Sequence, residues 1–265
     1  MIVNRVWQWH FGSGLVATPG DFGQMGRPPT HPELLDWLAT RFVADGWSLK
    51  RLHRLVMTSQ AYQLASAHGD AEALGIDPDN RLLWRGNRRR LEGEAVWDAL
   101  HAAAGTLNPA RGGRPVVPPL AEEELTGLRE RWQWPVSADP ADHTRRGLYV
   151  LARRGFRFPL FEAFDAPVDA VSCPRREVTT VAPQALWLMN NGVVRRQAQE
   201  FAARVEREAG PDPAARVERV WALALGRPPS PPETRRALAL LREQRGDLAR
   251  LCLAVFNLNE FVLVD

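Results

Sequence analysis

Five consecutive blocks between residues 182 and 257 repeat apolar residues at three- and four-residue spacing: APQALWLMNN (182–191), VVRRQAQEFAARVERE (193–208), AARVERVWALALG (214–226), PETRRALALLREQ (232–244) and DLARLCLAVFN (247–257). Each block would carry an apolar stripe along one side of a helix, and a short isolated helix cannot bury such a stripe, so the blocks must pack together. Pro211, Pro213 and the run RPPSPP break the series, because proline removes a helical hydrogen bond and clashes with the preceding turn. A set of short, mutually packed helices is the expected result.

The N-terminal part follows the same logic with more turns. IVNRVWQWHF (2–11) predicts a short helix, and GSGLVATPGDFGQMGRPP then holds too much glycine and proline for a long element. PTHPELLDWLATRF (29–42) predicts a helix opened by a Thr30/Glu33 capping box with Pro32 in the first turn. Ser48 is a natural N-cap for a second helix in WSLKRLHRLVMTSQAY, and LEGEAVWDALHAAAG (91–105) predicts a third, closed by Gly105. From 106 to 180 the periodicity weakens into loops, a short helix in EEELTGLRERW, and GLYVLARR as strand or helical turn. Trp37, Trp97, Trp187 and Trp221 fall within helical apolar patterns and are expected in the core.

The fold class is therefore mainly α, an irregular helical domain with long loops and at most a few short strands. It divides into an N-terminal helical part (1–105), a loop-rich middle (106–180) and a C-terminal helical part (181–265), read as one continuous domain. With 265 residues and 45% hydrophobic content the chain can bury a sizeable core.

Composition removes several function classes. The basic residues are nearly all arginine, Lys50 being the one lysine, yet the net charge is only +3. That is a small electrostatic footprint for DNA or RNA, so nucleic acid is not expected as a partner. The cluster NRRRLEGEAVWDAL (87–100) is followed at once by Glu92, Glu94 and Asp98, which suits local ion pairing. No run of about 18 apolar residues is present to span a bilayer, and the N-terminus lacks the pattern of a signal peptide. Cys173 and Cys252 form no metal-binding pair, though one disulfide between them stays open. No Gly-rich phosphate loop, nucleophile elbow or HExxH motif occurs.

Three constellations could carry chemistry. His31 ends the stripe of Leu34, Leu35, Leu38 and Phe42, and its inward imidazole suits a hydrogen-bonded core histidine or a metal ligand. His53 shares a stripe with Leu49, Leu52 and Val56, while His10, Asp21 and Asp36 lie near in sequence. His31, His10, Asp21 and His53 are thus the catalytic candidates. Their separations carry no ligand signature, so no metal site is assigned. The second constellation is Arg153, Arg154, Arg175, Arg176 and Gln184, with Thr179 and Thr180 nearby. Guanidinium forks match carboxylate, sulfate or phosphate groups, so this cluster could hold an acidic ligand. The structural alternative is that these arginines pair with Asp165, Asp169 and Glu177. Glu94 and Asp98, four apart on one helix, could form an acid/base pair if buried in a cleft.

Longer strings carry a family resemblance. NRVWQWHFGSGLVATPGDFGQMGRPPTHPELLDWLATRFVADGWSLKRLHRLVMTSQAYQ, DPDNRLLWRGNRRRLEGEAVWDAL, FDAPVDAVSCPRREVTTVAPQALWLMNN, LGRPPSPPE and NLNEFVLVD resemble the planctomycete-type DUF-1553 family across essentially the whole chain. The resemblance implies a helical domain of a large exported or cell-envelope protein, in a periplasmic or envelope setting, beside a second uncharacterised domain and a cytochrome-c-like one. It places any haem in that separate domain, with no cofactor in this chain, and makes the parent's other domains the partners. Because the chain starts inside the first motif, a fragment or an internally started reading frame is expected. An accessory or ligand-binding domain, directed toward anionic polysaccharide, is the leading expectation. The alternative is a catalytic domain of a hydrolase or redox-coupled enzyme acting on extracellular polymers.

Overall fold

The structure is a computed structural model that describes residues 1–67, 69–128, 130, 133–168 and 171–264. Its fold is mainly α, with twelve α-helices and one two-stranded ladder among the described residues. The chain forms two compact units, Met1–Arg89 and Arg90–Val264.

The first unit holds α1 (Ile2–Phe11), α2 (Pro32–Ala44), α3 (Leu49–Met57) and α4 (Ala71–Ile76). Its core is built from Val3, Val6, Trp7, Phe11, Leu15, Leu38, Phe42, Leu52 and Val56, the apolar stripes of the first three helices with one loop residue. The long connection between α1 and α2 is held by buried Asn4. Its amide donates to Val16 O at 3.1 Å and its carbonyl accepts from Val16 N at 2.8 Å. A Cβ on Gly14 would stand 2.6 Å from Asn4 Nδ2, so glycine is required where the loop crosses α1.

Helix α2 begins differently from the expectation. His31 is its N-cap residue and no side chain caps the helix. Thr30 instead donates through both its backbone N–H and its hydroxyl to Leu15 O, at 2.8 and 3.4 Å. With His31 as N-cap, Glu33 falls at N2 and not N3, so the spacing of a capping box is not met. Ser48 does cap α3, accepting from Arg51 N, and Pro32 stands in the first turn of α2. Trp37 is exposed, a departure from the expected core position.

The second unit contains α5 (Gly93–Ala104), α6 (Pro159–Ala163), α7 (Ala182–Asn190), α8 (Gly192–Ala209), α9 (Pro213–Leu225), α10 (Pro231–Glu243), α11 (Leu248–Phe256) and α12 (Asn259–Val262). The 18-residue α8 is central, packing against α5, α9 and α11. Val194, Ala198, Phe201 and Val205 line its inner face with almost no exposure, and Phe201 stacks on Phe256 of α11 with ring centroids 5.5 Å apart. Trp97 and Trp221 are buried here. Gly105 ends α5 in the left-handed conformation. Strands β1 (Arg89–Arg90) and β2 (Leu263–Val264) form the ladder, with Leu91 N donating to Val262 O at 2.7 Å.

The loop-rich middle is fastened to α5. Trp97 Nε1 donates to Arg145 O at 2.9 Å, and Asp98 accepts from Gly147 N at 2.7 Å and from Arg146 at 2.8 Å. Among the described residues its regular structure comprises α6, 3-10 turns at Glu122–Gly127, Pro140–Thr144 and Gly147–Tyr149, parallel bridges Asn108–Arg145 and Val116–Val150, and an antiparallel bridge Arg153–Phe156. Cys173 is exposed and Cys252 is buried, and both are free, so the disulfide left open by the sequence does not form.

Candidate functional site

The histidine candidates lie in the first unit. His10, on the last turn of α1, and His53, on α3, meet with His10 Nε2 2.8 Å from His53 Nδ1, close enough for one ring to donate to the other. The edge of Tyr62 packs at His10, with centroids 5.4 Å apart. Burial, then His53 and then Arg89 hold the His10 pKa below its ordinary value. His31 stands apart from this pair with Nδ1 2.9 Å from Thr30 Oγ1. Asp21 closes a local turn, its carboxylate accepting from Gly23 N at 2.8 Å. Among the described residues, no carboxylate bonds either imidazole of the pair, and no three His, Cys, Asp or Glu side chains are placed to hold a metal ion.

The arginine candidates lie in the second unit, and the structure separates them. Arg176 is bound by Glu94 through three hydrogen bonds of 2.8–3.0 Å, with Glu92 at 3.1 Å. This consumes Glu94, while Asp98 is held by Arg146 and Gly147, so the two carboxylates do not form an acid/base pair. Gln184 is buried and donates to Thr179 O and Oγ1, both at 3.3 Å. Arg175 is exposed.

The carboxylate of Asp165 pairs with Arg90, a residue outside the expected cluster. The Arg90 side chain is 3% exposed and reaches Asp165 Oδ2 at 2.7 Å. It also donates to Thr179 O at 2.8 Å, Leu91 O at 2.9 Å and Phe164 O at 3.3 Å. Asp165 in turn accepts from Thr179 N at 2.7 Å. Every polar atom of this buried pair has work within the fold, as a buried ion pair requires. Asp169, the other expected partner, lies outside the described residues.

Arg153 and Arg154 have a different setting. Both line an open cleft of about 590 Å³, together with Glu124, Thr126, Arg157, Glu162 and Trp187. Backbone pairing of Arg153 with Phe156 turns the chain so that three arginines border the cleft. Arg157 is paired with Glu162 at 2.6 Å, and Glu124 is occupied by Ala121 N at 2.9 Å and Asn191 at 2.7 Å. Neither the Arg153 nor the Arg154 guanidinium has a partner among the described residues. Trp187 lies half-buried on α7, its inner side against the core. An aromatic wall beside two unpaired guanidinium groups can hold a ligand that is apolar on one face and anionic at its edge.

His101, which no sequence pattern singles out, is a buried titratable group outside both clusters. It is 2% exposed on α5, with Nδ1 2.9 Å from Thr106 Oγ1, while Nε2 has no partner among the described residues. Thr106 Oγ1 donates to Gln197 at 2.7 Å, so the imidazole carries its proton on Nδ1 and donates it to Thr106. Burial pushes its pKa down to about 4.

Fold and cleft together define a mainly α domain with an arginine-bordered cleft, in which the family signature strings lie on packed helices and the loops that join them. Residues 1–241 match the family model PSD1, described as protein of unknown function (DUF1553), and the chain belongs to this family. No curated protein and no solved structure gives a significant match.

Proposed function

We propose that the chain is an accessory, ligand-binding domain of a large exported or cell-envelope protein, and that the cleft at Arg153 and Arg154 takes anionic polysaccharide. One observation carries this reading: two consecutive arginines, whose guanidinium groups pair with no carboxylate among the described residues, line an open cleft with Trp187, and the cleft's two carboxylates, Glu124 and Glu162, are engaged elsewhere. Carboxylate or sulfate groups on a sugar chain would accept from the arginines, and the C–H face of a pyranose ring would lie on the indole. On this reading haem belongs to a separate domain of the parent protein, and the parent's other domains are the partners. Among the described residues no helix is long and apolar enough to cross a membrane. A hydrolytic or redox role would need a further acid, base or ligand at the His10–His53 pair; binding asks only for groups already in place.

The test is calorimetric titration of the purified chain with a sulfated polysaccharide, a polyuronate and an uncharged glucan. Binding of an acidic polymer is expected, weakening with salt and at least tenfold with R153Q/R154Q. Equal binding of the uncharged glucan, an unchanged affinity in the double variant, or no binding of either acidic polymer would overturn the reading.

A further inference from the structure

A second cleft lies elsewhere in the same unit, between the start of α9, the end of α10 and the turn into α11, with a volume of about 540 Å³. Its floor is apolar: Leu241 and Leu248 are buried, Leu238 is half-buried, and Pro213 completes the lining. Arg216, Arg242 and Arg245 border it. One carboxylate, Asp212, is in the lining, and it and the nearby Asp247 are already engaged. Asp212 caps α9 through Ala214 N and Ala215 N, and Asp247 caps α11 and pairs with Arg250 at 3.1 Å. Arg216 is turned toward Gly210 O at 2.6 Å and Glu206 at 3.8 Å. The guanidinium groups of Arg242 and Arg245 have no partner among the described residues.

The backbone supplies an independent observation. Gly246 N donates to Leu241 O at 2.7 Å and Arg245 N to Arg242 O at 3.3 Å. This is the Schellman ending of a helix, whose left-handed position normally holds glycine. Here that position is Arg245, at φ 54°, with Gly246 following at φ 84°. A long charged side chain thus occupies a backbone position that favours glycine, at the edge of an apolar cleft. Strain retained in this way is characteristic of sites where the side chain has a use.

We infer that this cleft binds an amphipathic anion, an acyl chain bearing a carboxylate or phosphate head: the chain lies on Leu238, Leu241 and Leu248, and the head is held by Arg242 and Arg245. The volume falls within the range of about 300–1,000 Å³ usual for small-ligand pockets. The head can belong to a free fatty anion or to an anionic lipid in a bilayer, and both present the same chemistry to the arginines.

Calorimetry and amide chemical-shift mapping on the full chain test this with dodecanoate below its micellar concentration, alongside acetate and dodecanol. Dodecanoate is expected to bind, with shifts centred on residues 238–248, and acetate and dodecanol at least tenfold more weakly. R245G keeps the left-handed turn and removes the guanidinium. It should weaken dodecanoate at least tenfold without lowering the melting temperature, and R242Q should weaken it as well. Phosphatidylglycerol vesicles separate the two sources: sedimentation with vesicles, reversed by dodecanoate, assigns the site to membrane lipid, and dodecanoate binding without sedimentation assigns it to a free acyl anion. The inference is overturned if dodecanoate does not bind at millimolar concentration, if R245G and R242Q bind it unchanged, or if acetate binds equally well. R153Q/R154Q should leave dodecanoate binding intact, and its loss there would place the ligand in the other cleft and overturn the assignment.

Discussion

Acid should unfold the second unit partly through one side chain, His101. Its ring is buried against Trp97, with centroids 4.3 Å apart, and its pKa is pushed down to about 4 from an ordinary 6.5. Above pH 6.5 the imidazole is neutral in the folded and unfolded chain alike, and it has no effect on the pH dependence of stability. Between 6.5 and about 4 only the unfolded chain takes up the proton, so stability falls with pH by about 1.4 kcal/mol per unit. The full loss is about 3 kcal/mol, a large fraction of the 5–15 kcal/mol typical of a folded protein. H101F keeps a ring beside Trp97 and removes the titration. Its absolute stability will shift because phenylalanine is larger, so the informative quantity is the pH slope. Urea unfolding followed by tryptophan fluorescence from pH 7 to pH 4 should give a wild-type slope steeper than that of H101F by about 1.4 kcal/mol per unit. Parallel curves for the two proteins would refute the argument, because every other titrating group is common to both.

Two further substitutions probe the frame around the arginine-bordered cleft. R90M removes the charged partner of Asp165 and one donor each from Asp165, Thr179 O and Phe164 O, leaving Asp165 with Thr179 and Thr179 O with Gln184, and should cost up to about 3–5 kcal/mol in chemical denaturation, the range for losing one partner of a buried ion pair. Gly93 is the first residue of α5, where propensity alone would favour alanine over glycine. Here a Cβ would stand 2.9 Å from Phe161 Cα, so G93A should lower rather than raise the melting temperature.

Features decided within a few residues were the legible ones. Ser48 and Gly105 end or begin their helices as read, because a cap depends on its own turn. The blocks at 193–208 and 214–226 became α8 and α9, because a stripe at helical spacing has to be buried. Thr30 fits a cap by the same local pattern, yet its bonds to Leu15, fifteen residues earlier, tie it to the loop and the helix begins one residue later, with His31 as its N-cap. The helix at 93–104, grouped by sequence with the N-terminal part, packs against α8 in the second unit, and only tertiary contact determines that. Among the arginines, proximity in sequence implied a single cluster. Arg176 went to Glu94, 82 residues away, and Asp165 to Arg90, 75 residues away. What sets Arg153 and Arg154 apart is that they line a cleft while no carboxylate among the described residues pairs with them, which local sequence cannot display. Trp187 and Glu124 came to the cleft from α7 and a 3-10 turn without any shared motif.

The Arg90 pair also bears on how long the folded state lasts. Its hydrogen bonds join Arg90 to Asp165 and to Thr179, 75 and 89 residues further along the chain. Closing loops of that size costs entropy before any contact repays it, so these bonds are expected among the later contacts to form. Interactions absent from the transition state leave the folding rate nearly untouched and set the rate of escape from the native basin. R90M should therefore speed unfolding far more than it slows refolding in stopped-flow denaturant jumps, and a refolding rate that falls as much as the unfolding rate rises would show that the pair forms early.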